Sequence, residues 1–316
     1  MSSIWLETDL EPDDIAAIYI LNKRGFRFSH IVTGEGNSVT KHMRIKKYHT
    51  LLSSNLDNVD VVPPVFIRGL DSNKLFPRDG CEFETLYDDE KEYDMFDSKY
   101  VKELKNYVAT CKEPIMIVLK PFRELLKYFS ELADILPKVT LYVYGSFNFR
   151  TLSNEVAVSS LLRSFKNVYL YESFFATGTK NSIDKDTMPK FFEAFTKASQ
   201  TSPYLQTLNR LMLNWNEHML TSCSTNLAKL NSDPDSRNRL LKIYNAVKEN
   251  KSFQMVAADI GVAVTFNDQQ FFKPVDISFD PISKYTLIVP NALSKIFCAM
   301  DIPWNVLEDK LVDYFK

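Results

Sequence analysis

The sequence is short of several things at once. Its four cysteines (Cys81, Cys111, Cys223 and Cys298) are scattered, with no CxxC pair and no Cys/His cluster at zinc spacing. That excludes a disulfide framework and a structural zinc site, and it points to a reducing compartment. Eight glycines and 14 prolines are too few for a collagen-like chain or a long low-complexity linker. No apolar run approaches the ~18 residues of a membrane span. The opening residues, Met1 to Glu7, lack the basic-then-apolar order of a secretory signal, so a cytoplasmic protein is expected. Neither charge sign dominates: 38 basic and 40 acidic side chains leave a net charge of −2, which argues against a general nucleic-acid coat. There is also no Walker A sequence, no third glycine after Gly34-Glu35-Gly36 and no nucleophile elbow around Gly145-Ser146.

What is present is an ordinary globular balance, 45% apolar and 25% charged. A chain of this length can bury about 75% of its unfolded surface, so it needs no staple. Short apolar runs at Ile4–Leu6, Phe28–Thr33, Val59–Phe66, Ile115–Leu119, Val139–Tyr144 and Val168–Tyr171 read as strands. Between them, helical spacing marks Pro12–Leu21, a stretch ending near Leu52, Tyr100–Cys111, Phe122–Leu136 and Glu155–Phe165. Strands alternating with helices predict an α/β fold with a central, mainly parallel sheet flanked by helices. The C-terminal half is richer in helix, with a buried stripe at Leu205, Leu208, Met212, Trp215 and Met219. Phe271–Val289 can add strands, and helices are expected after Pro290 and after Pro303. No linker or repeat divides the chain, so residues 1–316 are expected to form one domain. The acidic run from Glu82 to Asp97 reads as a solvated loop, or as a lid over a cationic or metal-containing site.

The most informative segment follows the first strand. Glu7, Asp9, Glu11, Asp13 and Asp14 crowd the point where a strand's carboxyl end meets a helix start, which is where open α/β sheets bind ligands. Strand alternation places Glu7 and Asp9 on one side, with Asp13 and Asp14 in the first helical turn. The helix dipole alone favours Asp13 and Asp14 but leaves Asp9 and Glu7 unexplained. Converging carboxylates repel unless a hard cation neutralises them, and calcium, with six to eight oxygen ligands in flexible geometry, suits such a set.

Glu7-Thr8-Asp9-Leu10-Glu11-Pro12-Asp13-Asp14-Ile15 resembles the Asp-Thr-Asp-x-Gly-x-Asp-Asp-Ala motif of the inosine–uridine-preferring nucleoside hydrolases. The likeness continues in order through Ile31–Asn37, Ile117–Leu125 (similar to a strand followed by Gly-Pro-Leu-Thr-Asn-Leu), Tyr144–Asn148 and Ala258–Ala263 (similar to His-Asp-x-x-Ala-Val). The resemblance implies a single α/β domain that assembles as a homo-oligomer and hydrolyses the N-glycosidic bond of a small-molecule riboside with the help of Ca2+. It implies that Asp9 is a calcium ligand and the base that deprotonates the attacking water. Asp14 and Asp259 would be further ligands, the Leu119 carbonyl would complete the set, and Asp13, Asn37 and Asn148 would hold the ribose hydroxyls.

The departures carry expectations too. Glu7 replaces aspartate, and Glu11 replaces a glycine, where positive φ would be costly. Ser146 stands where the family holds the ribose 5′-hydroxyl with glutamate, and Ala258 where many members carry a histidine against the leaving base. Metal and ribose positions are thus kept while leaving-group positions are not. An alternative stays open: a hydrolase-like protein that has lost turnover and serves as a binding or scaffolding module.

Overall fold

The computed structural model describes residues 3–34, 49–54, 63–70, 99–145, 155–178, 182–214, 255–256, 258–279 and 286–316, with isolated helical positions 46, 241, 245 and 248. In chain order the elements are β1 (Ser3–Thr8), α1 (Pro12–Lys23), β2 (Arg27–Thr33), β3 (Val65–Arg68), α2 (Tyr100–Thr110) and β4 (Ile115–Val118). Then come α3 (Arg123–Lys127), α4 (Phe129–Leu132), β5 (Thr140–Tyr144), α5 (Glu155–Ser164), β6 (Asn167–Tyr171), α6 (Ser173–Thr177), β7 (Ser182–Ile183) and α7 (Pro189–Ser199). The last are β8 (Met255–Val256), α8 (Asp259–Thr265), β9 (Phe272–Phe279), β10 (Thr286–Pro290), β11 (Ile296–Ala299) and α9 (Trp304–Phe315).

Among the described residues, nine strands form one sheet in the order β10-β9-β11-β6-β5-β4-β1-β2-β3. From β11 to β3 every neighbouring pair is parallel, while β9 runs antiparallel to β11 and β10. The α/β expectation therefore holds. β1 lies between β2 and β4, with Thr8 beside Thr33 and Glu7 beside Val118.

Helices cover both faces of the central strands, so most residues of β1, β4, β5 and β6 are buried whichever way they point. Ile4 and Leu6 of β1 join a core with α1, α7, α8, α9 and helical residues 203–214; Trp5, between them, joins the opposite core with α2 and Val118. Trp5 packs there against Tyr100 and Tyr107. In α1, Ile15 through Leu21 are all buried, as expected of a helix wedged between sheet and helices. The Arg24 guanidinium donates to the carbonyls of Ala263 (2.5 Å) and Phe266 (2.6 Å), satisfying the orphan acceptors at the end of α8. Leu205, Leu208 and Met212 of the expected stripe are buried; Trp215 and Met219 lie outside the described residues.

Three expectations need correction. Phe122–Leu136 is not one helix: it divides into α3, α4 and a 3-10 turn at Leu136–Lys138, with Tyr128 (φ −104°, ψ 19°) outside helical geometry between the first two. No helix follows Pro290; Asn291 accepts the Leu293 N–H through its side chain (3.0 Å) in a turn leading directly to β11. Of the strand expected at Val59–Phe66, residues 59–62 lie outside the described residues; Pro63 and Pro64, which have no N–H to give a ladder, are not in the strand, and β3 begins at Val65.

Candidate functional site

At the carboxyl edge of the parallel sheet the chain leaves β1 through a sharp turn. Leu10 is fully buried with φ of 60°, and its N–H donates to Thr8 Oγ1 at 3.0 Å. Glu11, expected to suffer in the family's glycine position, has an ordinary extended backbone (φ −78°, ψ 168°). The left-handed residue is its neighbour. Pro12 then opens α1, where its missing N–H costs nothing.

Asp14 is buried and anchored twice. Its Oδ1 accepts the Thr8 hydroxyl, and its Oδ2 accepts the Glu11 N–H at 3.1 Å. Asp259 arrives from far along the chain as the first residue of α8. It gets there because Gly261 lets α8 lie directly on the Tyr171 ring; a Cβ at that position would overlap the ring. We therefore expect Gly261→Ala to destabilise the protein by about 1–3 kcal/mol and to weaken divalent-ion binding by moving Asp259, both measurable by thermal unfolding with and without calcium.

Asp13, Asp14 and Asp259 converge so that one carboxylate oxygen from each lies within 4.8 Å of the others. The three carboxylates therefore face one another at close range, and each acts on the ionisation of the others. Asp259 Oδ1 is buried with no hydrogen-bond partner among the described residues. Burial and the Asp9 charge push Asp13 up to about 7. Asp14 is raised by burial, then by Asp9, Asp259 and Asp13; Asp259 is raised by burial, then by Asp13, Asp9 and Glu11. The charges of Asp9 and Glu11 therefore act on the same point, although Asp9 is not one of the tight trio.

A carboxyl group that binds its proton more tightly when folded adds stability at low pH and loses it as pH rises. In metal-free protein the contribution of Asp13 should thus be fully present below the ordinary aspartate value of 3.8 and be lost as the pH rises to about 7, where Asp13 ionises. Calcium should flatten that slope. Thermal midpoints measured across this range, in chelator and in calcium, check both statements.

Leu119 follows β4 directly, and its N–H donates to the Glu7 carbonyl at 2.9 Å, which places residue 119 beside the end of β1. Glu7 does not join the aspartates. β1 ends at Thr8, so alternation does not carry on to Asp9; Glu7 instead points into the core, where Oε1 accepts the Tyr100 hydroxyl (2.6 Å) and the Trp5 indole N–H (3.1 Å). Asn37, Asn148, Ser146 and the acidic run at 82–97 lie outside the described residues. Ala258, immediately before Asp259, is buried and offers no titratable group.

Sequence reading missed two groups here. Tyr144, at the end of β5, has its phenol pKa raised by burial and Glu172, with smaller effects from Asp259 and Asp13. Lys120 is fully buried beside Glu7 and Glu124. Their position at strand ends was the only available signal.

No protein-family model matches the sequence, and neither does any curated protein. Solved structures do. The purine-preferring ribonucleoside hydrolase from Gardnerella vaginalis is 12% identical, with a TM-score of 0.63 over 99% of this chain and 98% of that one. The inosine-uridine preferring nucleoside hydrolase from Bacillus anthracis is 10% identical, with a TM-score of 0.56 over 100% and 99%. The type III effector protein XopQ, complexed with adenosine diphosphate ribose, is 14% identical, with a TM-score of 0.65 over 99% and 93%. The chain has the nucleoside hydrolase fold along its whole length.

Proposed function

We propose that this protein is a calcium-dependent N-ribosyl hydrolase acting on a nucleoside or related small riboside. The observation that carries the reading is the convergence of Asp13, Asp14 and Asp259, from opposite ends of the chain, at the carboxyl edge of the sheet. The donor set fits a hard cation: all oxygen, mutually repelling, with one buried Asp259 oxygen unpartnered. Asp9, Asp14, Asp259 and the Leu119 carbonyl would hold it. Calcium held there would make a neighbouring water more acidic, so that an aspartate could take its proton.

The chain's own groups do the rest. Asp9 accepts the proton as the water oxygen bonds to the ribose anomeric carbon and the carbon–nitrogen bond breaks. Asp13, Asn37 and Asn148 hold the ribose hydroxyls and set the angle of attack. The surrounding carboxylates stabilise the cationic character that develops on the sugar. With alanine at 258, this scheme has no acid at that position for the departing base. Leaving groups that depart unaided, such as an aryl oxide or a cationic nicotinamide, should then be released faster than hypoxanthine or uracil.

Ribose release from a panel of nucleosides, nicotinamide riboside and an aryl riboside tests the reading. Turnover should stop with chelator and return with calcium. A panel without any chelator-sensitive turnover would refute it. The homo-oligomer, the cytoplasmic setting and the absence of a nucleic-acid partner belong to the same proposal; no described helix is long and apolar enough to cross a membrane.

A second reading, a binding module that has lost turnover, draws support from Ala258 and from the Glu11 charge acting on Asp259. It is also consistent with the likeness to XopQ, an effector complexed with adenosine diphosphate ribose. Riboside or ADP-ribose binding without hydrolysis would favour it.

A further inference from the structure

Beside the aspartates lies a second charged group that the proposed reaction does not use. The Lys120 ammonium is fully buried, paired with Glu124 four residues on in the first turn of α3 and with Glu7 Oε2 at 3.6 Å; both carboxylates are fully buried as well. Each member of this network holds something else. Glu7 accepts Tyr100 and Trp5. Glu124 Oε1 accepts the Leu70 N–H at 2.6 Å, just beyond β3. The preceding Gly69 N–H donates to the Thr33 carbonyl of β2 at 2.5 Å, and the Gly34 N–H donates to the Thr8 carbonyl of β1 at 3.3 Å.

Packing is tight enough to require those two glycines. A Cβ on Gly34 would come within 2.7 Å of Glu124 Oε1 and 3.0 Å of Lys120 Nζ, and one on Gly69 would overlap the Glu124 carboxylate. A single ammonium thus reaches the ends of four adjacent parallel strands: β1 through Glu7, β4 through its own backbone, and the exits of β2 and β3 through Glu124.

Buried ion networks contribute little net stability, because desolvation offsets the attraction, but they fix geometry through directional contacts. We propose that Lys120 and Glu124 are positioning residues that lock the exits of β2 and β3 against β1 and β4, and so hold in register the turn after β1 that carries Asp13 and Asp14. The functional half of this statement rests on the riboside-hydrolase reading; the structural half does not.

The test compares wild type with Lys120→Met, Glu124→Gln and the uncharged triple variant Glu7→Gln/Lys120→Met/Glu124→Leu. Amide hydrogen exchange is followed in peptides covering Gly34 and Gly69-Leu70, with α9 as an internal control. In the triple variant, exchange at Gly34 and Leu70 should rise about tenfold or more while α9 stays unchanged. Glu124→Gln, which keeps an acceptor for Leu70, should stay near the wild-type rate. For the riboside that wild type turns over fastest, KM should rise about tenfold in the triple variant with a smaller change in kcat.

If Lys120→Met fails to fold, the triple variant, which leaves no unpaired buried charge, carries the comparison. Native exchange at Gly34 and Leu70 in a folded triple variant overturns the proposal. Altered exchange with KM unchanged overturns its functional half. A wild-type protein without riboside turnover refutes the hydrolase reading instead, and the exchange result still decides the lock.

Discussion

Asp259→Asn should make the calcium-free protein more stable and the calcium-loaded protein nearly inactive. In the folded chain Asp259 is buried beside Asp13 and Asp14, its Oδ1 lacks a partner, and its pKa is raised by burial and the neighbouring acids. Asparagine keeps the shape, removes the charge and adds an N–H pair that can donate to the facing carboxylates. Relief of an unsatisfied buried acceptor amounts to about 1–3 kcal/mol. Calcium affinity should fall by about two orders of magnitude or more, since even supporting residues of metal sites cost 10–100-fold. Turnover at fixed calcium should fall with it.

Asp14→Asn should differ in sign on stability, because Asp14 also holds Thr8 and the Glu11 N–H at the start of α1. Asp9→Ala should lower turnover by about 10²–10⁴, the usual contribution of a positioned base. Chelator-treated thermal scans and calcium titrations of the three variants separate these outcomes. A less stable calcium-free Asp259→Asn protein would show that the aspartates are not in conflict.

The largest effect on stability should come from Lys120→Met. Removing one member of a buried ion network leaves the remaining charges unpaired and typically costs about 3–5 kcal/mol. Here Glu7 and Glu124 would face each other in the core, and burial already raises the pKa of Glu7. The uncharged triple variant should recover most of that loss, since similar-sized neutral groups fill the space without a desolvation cost. Urea midpoints measured side by side check the contrast. Equal stability of Lys120→Met and wild type would mean that the ammonium is not paired as the structure has it.

Much of the fold was legible because local signals and tertiary packing agree. Phe28–Thr33 and Val139–Tyr144 are apolar runs on strands that pair on both sides within the sheet, and they became β2 and β5. Pro12 marked the start of α1 for the same reason: its backbone constraint suits a first helical turn wherever the helix ends up. What failed were places where the pattern continues through a break. Tyr128 keeps helical spacing with its neighbours, yet its ring stacks on Tyr100 and its backbone leaves the helix between α3 and α4. After Pro290, Asn291 turns the chain at once, and the apolar residues beyond it serve β11.

The site divides the same way. Asp13 and Asp14 were visible as acids where a strand meets a helix start, Asp259 only through the family resemblance of Ala258–Ala263, and the structure brings the three together. Glu7 looked like a member of that cluster because it is close in sequence. Its direction was set by the strand, which gives it the same face as Trp5, and by Tyr100 and Lys120, which sequence spacing could not connect to it. Glu11 looked strained because the comparison placed it at a glycine, whereas the turn uses Leu10 for its left-handed residue. Such contacts depend on where distant segments meet, and no local periodicity encodes that.

Calorimetric titration of the purified chain with calcium addresses the core of the account most directly. It should show one ion bound per chain, with binding weakened as the pH falls below about 7 and the Asp13 carboxyl takes up its proton, and lost in Asp259→Asn. A wild-type chain that takes up no calcium, or one whose calcium binding is untouched by Asp259→Asn, would contradict it.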